Sequence, residues 1–283
     1  MEITTIIAYV LVIFTMLFGM TFGATGFNFA ALANFINVQS IFITIGGTLF
    51  VLLASFPIKS FLHIPKHLKM IFFKNKKDPL EYVEILTELS KEARRKGLLA
   101  LEAKAADIQD EFLKESVLRI VDAIEPDKLR SWFDQKIDYI SARNDEERKL
   151  YDMGAALGPA FGMIGTLIGL INMLKNMSFE GGASTLGSDM SVALITTLYG
   201  SMLANTLFMP ISNKLEIAQE RDLLIKELII EGVVAIKEGE NPKYIRDKLM
   251  NFLTEDELRK ANGEAPSKGG GKSKGKKGKA VEN

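Results

Sequence analysis

The sequence predicts an all-α polytopic membrane protein with four transmembrane helices and a helical cytoplasmic domain. Three observations support this fold class. Four stretches are apolar and long enough to cross a bilayer, and charged residues are confined almost entirely to the segments between and after them. No segment alternates apolar and polar residues as a half-buried strand does.

The four apolar stretches cover about residues 3–22, 35–56, 153–174 and 190–211. Each is close to the ~20 residues that cross about 30 Å of hydrocarbon. The first has the position of a secretory signal, but no basic region precedes it and a second apolar stretch follows soon after. We therefore expect it to be retained as the first span.

The distribution of lysines predicts the orientation of the spans. The segment just after the second span contains Lys59, Lys66, Lys69, Lys74, Lys76 and Lys77, whereas the loop at 24–34 carries no charge. Positive residues favour the cytoplasmic side, so the second span is expected to end in the cytoplasm. Both termini are then cytoplasmic, and the loop between the third and fourth spans faces outside.

These assignments divide the chain into five predicted parts. Residues 1–56 hold the first two spans, 57–152 a juxtamembrane segment and a cytoplasmic helical domain, 153–211 the last two spans, 212–262 a cytoplasmic helical extension, and 263–283 a basic tail. The tail is expected to be disordered, because its lysines and glycines cannot bury enough apolar surface. An anchoring role for it at the inner leaflet stays open, as does its absence from the native protein.

The juxtamembrane segment 57–77 mixes apolar residues with lysines, which suits either a segment lying on anionic lipid or an ordinary flank of the second span. A helix is expected to begin at Asp78, which precedes a proline, and Gly97 interrupts it. The helix of the fourth span is expected to continue into the cytoplasm as far as Gly239, and Asn241 begins another short helix.

Five glycines recur at steps of three or four along the third span: Gly154, Gly158, Gly162, Gly165 and Gly169. Residues at this spacing lie on one face of a helix. A smooth face of this kind predicts close packing against another helix.

Uncharged polar residues and prolines accompany the glycines. They are Pro159, Thr166 and Asn172 in the third span, and Ser191, Thr196, Thr197, Ser201, Asn205, Thr206 and Pro210 in the fourth. A single hydroxyl in a span often only bonds to its own helix. Two helices rich in such residues nevertheless favour a polar path between them.

No Asp, Glu, Lys, Arg or His occurs inside the four predicted spans. Ion relays through membranes normally need an ionisable group there. The chain is therefore not expected to relay protons by itself, and any carboxylate in an ion path must come from a partner helix.

Nothing in the sequence predicts an enzyme, a catalytic residue or a metal site. There is no cysteine, and no phosphate loop, nucleophile elbow or dinucleotide motif is present. The only histidines, His63 and His67, flank Pro65 with no acid near them in the sequence, so we expect interfacial residues rather than a metal pair.

Two runs carry a family resemblance: residues 158–170 read GPAFGMIGTLIGL, and residues 193–205 read ALITTLYGSMLAN. Together with Pro210 they resemble the MotA/PomA flagellar stator family. The resemblance extends to ARRKGLLALE at 93–102 and to ENPKYIR at 240–246, and it covers about residues 1–255.

The resemblance implies a multi-pass protein of the bacterial inner membrane that forms a homo-oligomeric ring, a pentamer, around a MotB/PomB-like partner. That partner has one span, a peptidoglycan-binding domain and the missing aspartate. Passage of H⁺ or Na⁺ then turns the ring against the rotor protein FliG. No resident cofactor and no nucleic acid are implied.

The resemblance also assigns roles to individual residues. Pro159 and Pro210 match the two functional prolines of the family, and Thr197 matches its fourth-span threonine. Thr166 stands where sodium-type members carry threonine and many proton-type members carry alanine, so the ion stays open between the two.

Arg94 and Glu102 match the rotor-contacting charges of the family. Without the resemblance they are ordinary solvated helix charges. Eight residues apart on a helix, they are expected to project from nearby faces.

Two alternatives stay open at this point. The ExbB/TolQ energisers of envelope transport share the third-span motif, but they have three spans and an outside N-terminus. A purely structural membrane scaffold would be favoured only if no aspartate-bearing partner exists.

Overall fold

A computed structural model describes residues 3–23, 26–72, 77–122, 124–177 and 182–261. The regular elements of the described residues are helices, apart from one antiparallel pair of two-residue strands, β1 (Phe22–Gly23) and β2 (Gly26–Phe27), and turns and loops join them. No strand was predicted there, because two residues are too few to form an alternating pattern. The predicted tail, 263–283, lies outside the described residues, as do Lys74 and Lys76.

Within the described ranges, four helices are long and apolar enough to cross a membrane, which confirms the predicted fold class. The first two are Thr4–Thr21 and Val38–Ser55, and the other two lie within Pro126–Asn176 and Leu186–Lys237. The fourth span continues as a helix well beyond its apolar part, as expected.

The chain forms two compact units, one made of residues 1–76 and 136–223 and the other of residues 77–135 and 224–283. The predicted boundaries at residues 56, 152, 211 and 262 separate membrane-spanning from cytoplasmic segments, so they do not correspond to the boundaries of the two compact units. They stay predictions.

The first unit contains the spans. Its helices are α1 (Ile3–Thr21), α2 (Val38–Ser40), α3 (Gly47–Ser55), α4 (Ile58–Leu62), α5 (Ile64–Phe72), most of α9 (Pro126–Met177), α10 (Gly182–Met202) and the start of α11 (Met209–Lys237). A 3₁₀ helix covers Phe29–Phe35, and π-helices cover Ile41–Gly46 and Leu203–Phe208. Helix α9 runs without a break across residue 152, the predicted limit between the cytoplasmic domain and the third span. The reason is that no glycine or proline occurs between residues 127 and 153.

The apolar face of the juxtamembrane helix α5 packs against other helices of the protein. Its buried Ile71 joins a cluster with Leu52 of the second span, Leu150 and Tyr151 of α9, and Phe208, Ile211 and Leu215 of the fourth-span helix. Ile64 and Leu68 pack against the same cluster, whereas Lys66 and Lys69 are exposed. Helix α5 is therefore held against the helices of the second, third and fourth spans.

The second unit is a helical bundle built around fully buried side chains. It contains α6 (Pro79–Lys96), α7 (Ala100–Ala105), α8 (Glu111–Val121), α12 (Pro242–Met250), α13 (Glu255–Ala261), and parts of α9 and α11. Its core includes Leu86, Leu101, Leu113, Phe133 and Leu228, none of which is more than 1% exposed.

Local signals set the ends of these helices as predicted. The Asp78 carboxylate accepts a hydrogen bond from the Leu80 N–H at 3.2 Å and caps α6. Helices α6 and α11 end before Gly97 and Gly239, which adopt φ values of 83° and 76° that favour glycine.

Candidate functional site

The third and fourth spans meet at glycines, as the stripe in α9 predicts. A Cβ placed on Gly158 would lie 2.8 Å from the carbonyl oxygen of Gly200, and a Cβ on Gly200 would lie 2.4 Å from the carbonyl oxygen of Gly158. These distances leave no room for a side chain on either helix. The two backbones therefore touch at this crossing, and the packing prediction is confirmed.

The contact continues along the stripe toward the other end of the span. A Cβ on Gly165 would overlap the side chain of Thr196 at 2.4 Å, and one on Gly169 would lie 2.7 Å from the carbonyl oxygen of Asp189. Because this close contact extends over several turns, it fixes the rotation of the two helices about their axes. The side chains beside the stripe consequently have defined partners.

Thr166 and Thr197 form one hydrogen-bonded pair beside this contact. Their hydroxyl oxygens are 2.6 Å apart. Each also lies 3.2 Å from the carbonyl oxygen of Ala193, and Thr166 lies 3.1 Å from that of Gly162. The sequence placed both residues at helix contacts, and the structure brings them together, with Thr166 half-buried and Thr197 exposed.

The hydroxyl pair can act toward a ligand as a hydrogen-bond acceptor but not as a donor. Two hydroxyls supply two hydrogens, one of which lies between the two oxygens while the other reaches a backbone carbonyl. Both donors are thus used within the protein, and the oxygens keep free lone pairs. An oxygen pair of this kind can accept a hydrogen bond from a protonated group or contribute to the shell of an alkali cation.

Pro159 lies inside α9 without breaking it. Its ring nitrogen has no hydrogen, so the carbonyl of Ala155 loses its donor within the helix. Pro159 also directly follows Gly158 at the crossing point. A weakened turn therefore lies next to the tightest contact between the two spans.

Pro210 follows the π-helical segment of the fourth span. The Met209 N–H bonds to the carbonyl of Ala204, five residues earlier, which is the π pattern. Pro210 is the next residue and cannot donate, so the regular ladder is broken over two consecutive positions. The sequence indicated the proline but not the π-helix.

Sequence reasoning also missed the contact between the second and fourth spans. The Thr44 hydroxyl donates to the carbonyl of Thr196 at 3.3 Å, and the Ser40 hydroxyl to that of Val192 at 3.5 Å. Thr48, one turn further, is fully buried and its hydroxyl has no hydrogen-bond partner among the described residues. The four-residue spacing of these hydroxyls was the available signal.

Hydroxyl groups of the second span therefore donate hydrogen bonds to backbone carbonyls of the fourth span. Thr44 belongs to the π-helix Ile41–Gly46, in which the Gly47 N–H reaches the carbonyl of Phe42 five residues back. Both spans that meet here thus contain a π-helical segment. Such segments are frequent at functional sites.

Arg94 and Glu102 do not share a helix, so the expectation that they project from one helix eight residues apart is wrong. Arg94 lies in the last turn of α6 and Glu102 in the first turn of α7. Gly97, with its positive φ, ends α6 between them. Both side chains are exposed.

The expectation that both histidines are interfacial residues is wrong for His67, which is buried and has an acid beside it in the fold. Glu147 of α9, about 80 residues away in the sequence, lies 3.1 Å from His67 Nε2 and 3.7 Å from His63 Nδ1. Sequence proximity could not reveal this contact. Within the described part of the chain, no group of three His, Asp or Glu residues is arranged to hold a metal ion.

Comparison with known proteins places these features in a family. Residues 104–228 match the model of the MotA/TolQ/ExbB proton channel family. Motility protein A of Borreliella burgdorferi is 38% identical over 90% of this chain and 95% of its own length. Chemotaxis protein PomA of Vibrio alginolyticus is 34% identical over 80% of this chain and 87% of its own.

Solved structures give the same result for the fold. The flagellar MotAB stator complex from Bacillus subtilis contains a chain that matches with a TM-score of 0.79 and 29% identity, over 90% of this chain and 98% of that one. A chain of C. jejuni MotAB matches with a TM-score of 0.78 and 27% identity, over 90% of this chain and 97% of that one.

Proposed function

Since this chain belongs to the MotA/TolQ/ExbB proton channel family, and within it to the MotA/PomA flagellar stator proteins, we propose that it is an ion-driven stator subunit of a flagellar motor. In this proposal the chain forms an ion path with a MotB-like single-span partner. It converts ion passage, of protons or sodium ions, into torque on the rotor protein FliG.

The Thr166–Thr197 pair is the observation that carries the proposal. It presents hydroxyl oxygens at the contact of two spans that contain no Asp, Glu, Lys, Arg or His. A polar site without a titratable group is incomplete as an ion relay. An aspartate from a partner helix, placed beside the two hydroxyls, would complete it.

The energy available suits small movements of packed helices. One charge moving through about 100 mV releases about 2.3 kcal/mol, which is enough to bias a small step but not to unpack a helix interface. Pro159 and Pro210 lie where the helices are already short of hydrogen bonds. We propose that bending at these two prolines couples ion passage to movement of the cytoplasmic helices.

The assembly follows the family pattern in this proposal. Several copies of the chain, five in a pentameric ring, surround the partner in the bacterial inner membrane, with both termini in the cytoplasm. The lysines after the second span support this orientation. The similarity to chains of MotAB complexes supports an oligomer with a MotB-like partner.

The alternative is an ExbB/TolQ-like energiser of envelope transport, since the family model includes those proteins. Four candidate spans favour the stator over a three-span energiser. The neighbouring reading frame distinguishes the two. For a stator it should encode one span with an aspartate and an outside domain that binds the cell wall.

We expect the isolated chain to be a poor ion conductor, because its spans hold no Asp, Glu, Lys, Arg or His. The measurement is proton and sodium flux into liposomes that contain the chain alone or the chain with its partner. Flux should depend on the partner and be lost when the partner's aspartate is replaced by asparagine. Robust flux from the chain alone would contradict the proposed path.

Reversing the charges of Arg94 and Glu102 together should reduce swimming strongly while leaving assembly intact. Both side chains are exposed at the ends of two helices joined at Gly97, where a charged partner surface can reach them. Swimming speed and membrane abundance are measured together. The control is reversal of Arg246 and Asp247, which are also exposed but lie on α12.

Two results would count against the rotor role. Normal motility in the double reversal would remove it. Loss of assembled protein in that variant would show instead that the two charges are structural.

A further inference from the structure

Three fully buried hydroxyl side chains of the second span stand at four-residue steps: Ser40, Thr44 and Thr48. The first lies 3.5 Å from the carbonyl oxygen of Val192, and the second lies 3.3 Å from that of Thr196. Both spans advance by four residues between these two bonds, so they run parallel and in register. The next step along both helices brings Thr48 to the level of Gly200.

Thr48 differs from the other two hydroxyl residues, because its hydroxyl has no hydrogen-bond partner within the part of the chain that the structure describes. A buried hydroxyl without a partner is destabilising, since nothing in the surrounding apolar core replaces the missing bond. Threonines in helices often avoid this cost by bonding to their own helix, as Thr196 does at 2.9 Å from the carbonyl of Val192. The described arrangement therefore leaves one donor of the second span unused.

The carbonyl of Gly200, which is the next acceptor in the register, packs against the third span. It lies 2.8 Å from the Cβ position of Gly158, whereas the Thr196 carbonyl lies 3.2 Å from the Cβ position of Gly162. The Thr196 carbonyl also accepts from Thr44, so it lies between its two neighbouring spans. One turn further, the contact with the third span is closer and the hydrogen bond to the second span is missing.

We propose that the fourth span has two positions: in the first, which is the one described, the Gly200 carbonyl packs against Gly158, and in the second it accepts a hydrogen bond from Thr48. Movement between them exchanges a close backbone contact for the missing hydrogen bond, so neither position has every favourable contact. Two packed arrangements of this kind form a two-state element. Thr48 is then a positioning residue for the fourth span.

Both helices are irregular next to the residues that would move. The π-helix Ile41–Gly46 ends two residues before Thr48, and the π-helix Leu203–Phe208 begins three residues after Gly200. The N–H of Gly47 is shared among the carbonyls of Phe42, Ile43 and Thr44. Because a shared donor can change its main acceptor without losing its hydrogen bond, a small twist of the second span at this point costs little.

The movement reaches the hydroxyl pair of the proposed ion path. Thr197 directly follows Thr196, whose carbonyl contacts the second span, and its hydroxyl oxygen lies 2.6 Å from that of Thr166 in the third span. Displacement of the fourth span toward the second therefore lengthens the Thr166–Thr197 contact. An ion bound beside this pair would favour one position over the other. This role in torque rests on the proposed function, whereas the two positions rest on the contacts of the spans.

The first test is the melting temperature of the full-length chain purified with its partner in detergent. Thr48→Val keeps the β-branched shape and removes the unpaired hydroxyl, so the melting temperature should rise by roughly 2–4 °C. Thr44→Val is the matched control one turn away, and it should lower the melting temperature because its hydroxyl is paired. A melting temperature of Thr48→Val at or below that of the wild type would overturn the proposal.

The second test moves the fourth span by a substitution in the third. A Cβ at Gly162 would lie 3.2 Å from the Thr196 carbonyl, so Gly162→Ala pushes the fourth span away more gently than a change at Gly158 does. In this background Thr48 should have its acceptor, and Thr48→Val should lower the melting temperature by roughly 2–4 °C instead of raising it.

Gly19→Ala is the control background, because nothing lies within 4 Å of its Cβ position, and in it Thr48→Val should still raise the melting temperature. An equal rise in the Gly162→Ala and Gly19→Ala backgrounds would show that the displaced fourth span gives Thr48 no acceptor. That result would overturn the second position.

The third test is the torque of single motors. Thr48→Val should lower the population of the second position at least about fivefold, so torque should fall although the protein is more stable. Thr48→Ser keeps the hydroxyl and should retain torque, as should Thr15→Val, whose hydroxyl bonds within the first span.

Full torque in a more stable Thr48→Val protein would overturn the part of the second position in the motor cycle. If the wild-type chain generates no torque with its partner, the motor function is wrong. The melting temperatures in the two glycine backgrounds still decide whether the fourth span has two positions.

Discussion

Replacement of Gly200 by alanine is expected to remove most of the folded protein from the membrane. The new Cβ would lie 2.4 Å from the carbonyl oxygen of Gly158, and a backbone oxygen cannot move aside as a flexible side chain can. The two spans would have to separate. Overpacking of this kind typically costs about 1–3 kcal/mol, and here it acts on the main contact between the third and fourth spans.

A series of glycine-to-alanine variants tests the cause. Gly158→Ala should be similarly damaging, at 2.8 Å from the Gly200 carbonyl oxygen, and Gly162→Ala milder, at 3.2 Å from the Thr196 carbonyl oxygen. Gly19→Ala is the matched control, because this glycine also lies in a span and nothing is within 4 Å of its Cβ position. Membrane abundance and thermal stability in detergent are measured. If membrane abundance did not decrease as the Cβ distance becomes shorter, close backbone packing would not be the cause of the loss.

The double replacement of Thr166 and Thr197 by valine is expected to give assembled but paralysed complexes. Valine keeps the β-branched shape of threonine and removes the oxygen. The hydroxyl pair, with oxygens 2.6 Å apart, would be lost while the helix contact at the glycines stays. A polar ligand that loses such partners is destabilised by about 1–3 kcal/mol, which corresponds to a loss of roughly fivefold to 150-fold in affinity.

Torque of single motors and membrane abundance are measured for each variant. Thr15→Val is the matched control, since its hydroxyl lies in the first span and its hydrogen bond goes to its own backbone, at the Val12 carbonyl. The single variant Thr166→Ser keeps a hydroxyl oxygen at this position and should therefore retain torque. If sodium is the ion, the deficit should shrink as sodium is raised. Normal torque in the double variant would mean that the two threonines only pack.

Much of this architecture could be predicted because the hydrocarbon core of a membrane offers no hydrogen-bond partners to the backbone. Each span must satisfy its backbone internally, so long apolar segments become helices. The glycine stripe predicted a close contact for a similar reason, since steps of three and four residues place Gly158 and Gly162 on one face whatever the partner. The absence of ionisable residues from the spans is a property of composition alone.

The pairing of side chains was decided only by the tertiary structure. Thr166 and Thr197 lie 31 positions apart, and His67 and Glu147 lie 80 apart. Which side chains meet depends on the rotation of packed helices about their axes, and that rotation is set by contacts such as Gly158 with Gly200. His67, which the sequence placed at the membrane surface, is buried and contacts Tyr151 and Glu147 of α9.

Some irregularities of the helices could likewise be predicted from the sequence, whereas others depend on tertiary packing. The loss of backbone donors at Pro159 and Pro210 and the ability of Gly97 to end a helix could be predicted from the sequence, because these effects follow from the covalent structure of single residues. The placement of Arg94 and Glu102 on separate helices could not be predicted in this way, nor could the π-helices at Ile41–Gly46 and Leu203–Phe208. A π-helix costs regular hydrogen bonding locally, so it forms only where packing against neighbouring spans offsets that cost.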